Sequence, residues 1–167
     1  HLELAGRPRL SALTRHRPAQ TVRATVIGAG AHTLSLSGST IWLNASVLPM
    51  RNVPVLHPYT DWADENARGT LQADWQVAAE RMDLDLTHDH YALALPEGFA
   101  PLYRQIEQIA DALRQFSERY PSPHPLIVMT REDVGKALGM ELQPVLKGRE
   151  LAVIDEVETR EGDYVDI

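Results

Sequence analysis

The chain has 167 residues, 44% of them hydrophobic and 23% charged, with 16 Lys and Arg against 23 Asp and Glu for a net charge of −7. That length and balance fit a folded domain with a real core rather than a disordered segment, and the negative charge works against a nucleic-acid partner, whose phosphates it would repel. Cysteine is absent, which excludes disulfides, thiolate metal sites and a thiol nucleophile and fits a reducing compartment such as the cytoplasm. No apolar run approaches the roughly 20 residues of a membrane span, so no membrane partner is expected.

In chain order, residues 1–20 carry four Arg and two Pro with little periodicity and read as a linker or the tail of a preceding domain. The opening HLELAGRPRL has no apolar signal region, and with the abrupt GDYVDI end it gives the chain the look of a piece cut from a longer protein. Residues 21–58 are rich in Val, Ile, Thr and Ser with Gly punctuation, and read as a β-rich lobe. Within them VRATVIGAGAH fits a strand or a helix, with its β-branched residues favouring the strand. LSLSGSTIWL alternates as a hairpin turning at Ser37, Gly38 and Ser39. RNVPVL, Arg51 to Leu56, reads as a short edge strand, because Pro54 has no N–H for a ladder.

Residues 59–167 read as an α/β unit. Leu71, Trp75, Ala78 and Met82 recur at helical steps inside a segment from Asp61 to Thr87. YALAL (Tyr91 to Leu95), LIVM (Leu126 to Met129) and LAVI (Leu151 to Ile154) are apolar on both faces, the mark of parallel strands buried on both sides. Between the first two, Pro101 opens a helix with a stripe of Leu102, Ile106, Ile109, Leu113 and Phe116, and Pro121 closes it. Between the second and third, TREDVGKALG reads as a helix capped by Thr130 and Asp133 with Gly139 as its exit. The sum is βαβαβ with right-handed crossovers and a mainly parallel sheet, and VETREGDYV reads as a final hairpin turning at Gly162.

Ligands of open α/β sheets sit beyond the carboxyl ends of the strands, which places Glu97, Thr130, Arg131, Asp133, Lys136 and Asp155 on one rim. The same residues also have plain uses: Thr130 and Asp133 as helix caps, Lys136 as a solvated cation, Asp155 at a turn. Gly28 and Gly30 bracket a turn that brings backbone N–H groups within reach of a phosphate, or simply allows close packing. The dinucleotide fingerprint is incomplete there, with Thr33 where a third Gly belongs, and no P-loop ending follows. His88 and His90 flank Asp89 near Asp85, a pattern that suits an exposed polar loop better than a metal centre. His32 beside Thr33 lacks the elbow and acid of a hydrolytic triad. Trp42, Trp62 and Trp75 suit core packing or a partner interface.

Four separated blocks, VRATVIGAGAHTLSLSGSTIWL, LPMRNVPV, VGKALGM and AVIDEVETREGDYVDI, resemble in that order the carboxy-terminal third of the EutA family. The resemblance covers most of the chain from Thr21 onward. It implies a factor that rescues ethanolamine ammonia-lyase, a cobalamin enzyme, after its cofactor is damaged, with ATP and magnesium serving the full-length family member and none held by this stretch. It also implies a parent similar to the actin and heat-shock-chaperone ATPases, acting in the cytoplasm in association with a bacterial microcompartment. The phosphate loop and adenosine motif of such ATPases are not found in these residues, nor is a DxHxxG cobalamin grip, so contact with cobalamin is expected only through the lyase. The exposed RNVPV edge, with Arg51 and Asn52, is the expected partner contact, by strand addition. The competing readings are a small-molecule or nucleotide-binding α/β domain, using Gly28 and Gly30 or the strand-end rim, and a purely structural interaction module.

Overall fold

A computed structural model describes residues 41–44, 48–59, 61–64 and 67–167, all within the unit His32–Ile167. The first arm of the hairpin at Ser37, the ambiguous segment before it, Gly28, Gly30, His32 and Thr33 lie outside the described residues.

Among the described residues six strands form one mixed sheet: β1 (Ile41–Asn44), β2 (Val53–Leu56), β3 (Ala92–Ala94), β4 (Leu126–Met129), β5 (Leu151–Ile154) and β6 (Tyr164–Val165), in the spatial order β1-β5-β4-β3-β2-β6. The pairs β2/β3, β3/β4 and β4/β5 are parallel, and β1 and β6 join the two ends antiparallel. Three helices connect the parallel strands in turn: α1 (Leu71–Arg81), α2 (Tyr103–Arg119) and α3 (Gly135–Leu142). The parallel part is therefore one βαβ unit longer than βαβαβ, and β1 and β2 share the sheet of the later strands.

Each crossover steps to the next strand in the same direction, so right-handed connections place all three helices on one face. Core composition follows that geometry. Leu56, Leu93, Leu126, Val128, Leu151 and Val153 pack with Trp75, Ile109, Leu113, Phe116 and Leu138 from the helices, while Val53, Val55, Ala92, Ala94, Ile127, Met129, Ala152 and Ile154 form a second buried cluster on the opposite face.

Pro54 misled the reading of β2 as an edge. The Val55 N–H donates to Asp163 O on the β6 side (3.0 Å), so by alternation the nitrogen of Pro54 faces β3, one residue before that ladder begins at Val55. No ladder bond is lost, and β6 covers the other side through Val53 opposite Val165 and Pro54 opposite Tyr164. The last segment correspondingly does not fold back on itself as a hairpin. Its turn does sit at Gly162 (φ 87), but the strand that follows pairs with β2.

All three helices needed smaller corrections. A 3-10 turn, Ala67–Thr70, precedes α1, and Asp83 in the left-handed region (φ 55) ends the helix well before Thr87. Leu102 is extended and 60% exposed: it caps α2 through its carbonyl, which accepts from Gln105 and Ile106, and Ala110 takes a place in the buried stripe. Gly139 is not a helix exit but a buried mid-helix residue of α3, where a Cβ would stand 2.1 Å from the indole of Trp42 on β1. Trp42 explains the glycine: its ring lies flat enough on α3 that no side chain fits beneath it.

Candidate functional site

The carboxyl ends of β2, β3, β4 and β5 lie along one rim, with His57, Thr130 and Asp155 directly after β2, β4 and β5 and Glu97 three residues after the end of β3. Among the described residues the buried side-chain polar atoms with no hydrogen-bond partner are His57 Nε2 and Asp155 Oδ1. Both belong to this rim, at its two ends.

Asp155 is wholly buried and Thr130 nearly so (4% exposed). Backbone bonds tie the two strand ends together, Thr130 N–H to Ile154 O (3.0 Å) and Val157 N–H to Thr130 O (3.0 Å). Glu156, next after Asp155, holds a left-handed φ of 56, a conformation an L residue adopts only where its surroundings enforce it. The capping roles expected of Thr130 and Asp133 fall instead to Asp155, whose Oδ2 accepts the Gly135 N–H at 2.7 Å from across the sheet; Thr130 Oγ1 accepts from Glu132 N–H at 3.2 Å. The first residue before α3 is Val134, with no side-chain cap of its own, so the helix start is satisfied by a tertiary contact rather than by a local box. Burial pushes the Asp155 carboxyl above the ordinary carboxylate range, the Gly135 N–H opposes the rise, and the neighbouring Asp133 adds to it. Asp133 and Lys136 are exposed beside it.

Toward the other end, Glu97 and Gly98 are shared by two crevices. One, of about 60 Å³, lies between the ends of β3 and β4 and includes Thr130, Arg131 and Glu132. The other, of about 450 Å³, is lined by Pro58, Tyr59, Asp61, Glu97 and Gly98. His57 is held below its ordinary pKa by burial, against the opposing pull of Asp163, Glu161 and Glu97. Tyr59, which lines the larger crevice, donates to Glu161 (2.7 Å) and carries Arg81 over its ring at 4.4 Å.

Strand-end logic thus brings Glu97, Thr130, Arg131, Asp133, Lys136 and Asp155 to one side of the sheet, and it missed His57. The signal for His57 was present, since it directly follows VPVL; counting that run as a fourth parallel strand puts the imidazole on the rim.

The remaining sequence candidates resolve into packing or local turns. Asp85 Oδ1 accepts from Thr87 N–H (2.9 Å) and Oγ1 (2.6 Å), and its Oδ2 lies 3.1 Å from His88 Nδ1. His90 packs edge-on to His124 with centroids 6.0 Å apart. Among the described residues no three His, Asp or Glu side chains gather as a metal-binding group. Trp62 Nε1 donates to Gln105 Oε1 (3.0 Å), and Trp75 Nε1 to Ala94 O (2.9 Å). Arg51 and Asn52 are exposed, yet β2 has no open edge to offer, because Asn52 N–H donates to Asp166 Oδ1 (2.8 Å) and Met50 and Ile167 exchange backbone bonds of 2.8 Å. Strand addition at RNVPV is thereby excluded. Among the described residues no helix is long and apolar enough to cross a membrane.

Comparison with known proteins gives a consistent picture. The model of the family described as "Ethanolamine utilisation protein EutA" matches residues 2–167. Two relatives named "Ethanolamine ammonia-lyase reactivase EutA", from Salmonella typhimurium strain LT2 and Escherichia coli strain K12, are each 53% identical over 160 residues, which is 96% of this chain and 33% of theirs. The chain therefore spans about a third of the length of those relatives. No solved structure matches it significantly. With a family match running along essentially its whole length, the chain belongs to the EutA family.

Proposed function

We propose that this chain is a portion of a reactivating factor for ethanolamine ammonia-lyase in ethanolamine catabolism. The observation that carries the reading is the 53% identity to two named reactivases over 96% of the chain. In the proposed cycle the complete factor has two conformations, and nucleotide binding favours the one that grips the lyase. Differential affinity for the two conformations is what couples the nucleotide to the partner, and the loosened lyase releases damaged cobalamin. ATP and magnesium serve the complete factor, whose parent fold would be of the actin and heat-shock-chaperone type. The described sheet, covered by helices on one face, supports a role in holding shape and docking, as the chaperone-like part of a cytoplasmic, microcompartment-associated system. Cobalamin meets this portion only through the lyase. Arg51 and Asn52 remain proposed lyase contacts through their exposed side chains.

The test uses the full-length protein with lyase inactivated by damaged cofactor, fresh adenosylcobalamin, ATP and Mg²⁺. Recovery of lyase turnover that requires the factor is expected, and no recovery overturns the reading. In the same assay an Arg51→Glu factor that binds and revives lyase as well as wild type removes Arg51 from the contact. A second reading, a small-molecule-binding α/β domain, is favoured by the two unpartnered buried atoms on the carboxyl rim; saturable heat on titrating ATP or phosphometabolites, abolished by changes on the rim, would support it.

A further inference from the structure

We propose that the outer face of α3 is a docking surface for a second copy of this chain, the two α3 helices packing antiparallel across a two-fold axis; the inference does not rest on the reactivase reading. α2 turns Arg104, Glu107, Gln108 and Asp111 to the surface, the ordinary polar outer face of an amphipathic helix. α3 is different. Leu138 and Leu142 are buried in the core and Gly139 is buried beneath Trp42, yet Ala137 and Met140 are exposed, Met140 to 58%, and Pro144 and Val145 continue the exposed apolar surface in the turn that follows. The polar residues of the helix are Lys136 and Glu141, both exposed. A helix apolar nearly all round is suited to being covered on more than one side, and Met is enriched at protein interfaces.

What covers that face follows from the order of its residues. α3 has eight residues, so its mid-point falls between Leu138 and Gly139. Residues equidistant from that point are complementary in pairs: Lys136 answers Glu141, a cation to an anion, and Ala137 answers Met140, a small side chain to a large one. A second α3 running antiparallel about that point therefore sets Lys136 of each copy against Glu141 of the other and Met140 of each over Ala137 of the other, which makes the contact isologous and closed. The helix dipole favours the same orientation. Lys136 stands in the first turn of α3 and Glu141 in its last, the reverse of what the macrodipole prefers, and neither enters an ion pair among the described residues. In the antiparallel pair each carboxylate lies toward the amino end of the other helix and each ammonium toward its carboxyl end, so charges that work against their own helix support its neighbour. One short helix from each copy buries less than the standard interface of about 1,600 Å², so the dimer is a weak one, with a Kd in the micromolar range or above.

Sedimentation velocity on the full-length protein, from micromolar to submillimolar concentration, compares wild type with Lys136→Glu, Glu141→Lys, the double swap that combines them, and Met140→Ser. All three positions are exposed, so the variants keep the fold; a thermal melt of each at low concentration verifies it. The expected result is a monomer-dimer equilibrium in wild type that each single charge reversal weakens about tenfold or more, because it turns two attractions into two repulsions. The double swap, which restores both pairs, associates more tightly than either single variant. Met140→Ser, which removes an apolar side chain from the contact twice over, weakens association about tenfold or more as well. Full-length protein that stays monomeric throughout overturns the proposal. So does a dimer whose Kd none of these changes moves, because the face then meets something other than a second α3.

Discussion

Replacing Gly139 by alanine inverts the usual effect of that substitution. In an exposed helix interior, alanine stabilises by about 1 kcal/mol relative to glycine. Here the added Cβ would sit 2.1, 2.4 and 2.5 Å from Trp42 Cγ, Cδ2 and Cδ1, against an ordinary carbon contact of about 3.5 Å. The indole is rigid, and all three atoms belong to it, so the ring as a whole has to retreat by roughly 1 Å, which strips its contacts with α3 along the seam with β1. Overpacking of this kind costs about 1–3 kcal/mol, and an overlap this deep belongs in the upper part of that range. Subtracting the helix-propensity gain leaves a net loss of about 1–2 kcal/mol, or a fall in Tm of roughly 2–8 °C for a chain of this size. The decisive assay is a double-mutant cycle by thermal melting with Trp42→Ala. Without the indole the Cβ has room, so Gly139→Ala becomes stabilising by up to about 1 kcal/mol and the coupling amounts to about 2–3 kcal/mol. A Gly139→Ala change of the same sign and size in both backgrounds would refute the reasoning, because the glycine would then owe nothing to the tryptophan.

Two further outcomes follow from buried hydrogen bonds. Trp75→Phe keeps an aromatic edge toward Phe116, whose centroid is 5.4 Å away, but deletes the bond to Ala94 O; a loss of roughly 1–3 kcal/mol in urea unfolding is expected, and a change under about 0.5 kcal/mol would show that the carbonyl does not depend on the indole. For Asp155 the folded-state pKa lies above the ordinary 3.8, so the folded protein holds the proton more tightly than the unfolded chain, and this group's contribution to stability falls as pH rises from about 4 through the raised value. The Tm of Asp155→Asn should gain on wild type over that window and then run parallel to it; a variant that loses ground to wild type as pH rises would reverse the assignment.

Helices and central strands were legible because each carries its own period. YALAL, LIVM and LAVI are apolar at every position, and strands buried on both faces leave no other pattern; the stripe from Ile106 to Phe116 needed only its first turn adjusted. What was illegible depended on partners far away in sequence. Nothing in RNVPVL announces that Tyr164 and Val165 will cover its outer side, more than 100 residues later, and the rule that proline marks an edge fails when its nitrogen points at a stretch of ladder not yet begun. Gly139 was read by the same local logic, as a helix exit, when the cause of the glycine is an indole on β1.

The rim shows the same division between local and tertiary causes, with a functional consequence. Position along a parallel strand is a local property, so Glu97, Thr130 and Asp155 could be placed on one side from pattern alone, and Asp133 and Lys136 followed from the connection to α3. Their roles could not, because Thr130 and Asp133 have the spacing of a capping box and yet the cap comes from Asp155, 20 residues beyond Gly135. That exchange is why the site is worth testing. Had Asp133 capped α3, its carboxylate would be occupied by backbone N–H groups and Asp155 would have been free to turn to solvent. Because Asp155 does the capping from a buried position, its second oxygen has no donor among the described residues, and Asp133 stays at the surface, near enough to raise its proton affinity. A fold that needed only a capped helix would be served by the local box; the arrangement present brings two carboxyl groups near one another, and their repulsion and mutual hydrogen bond add to burial in keeping a proton on Asp155 above the ordinary carboxylate range.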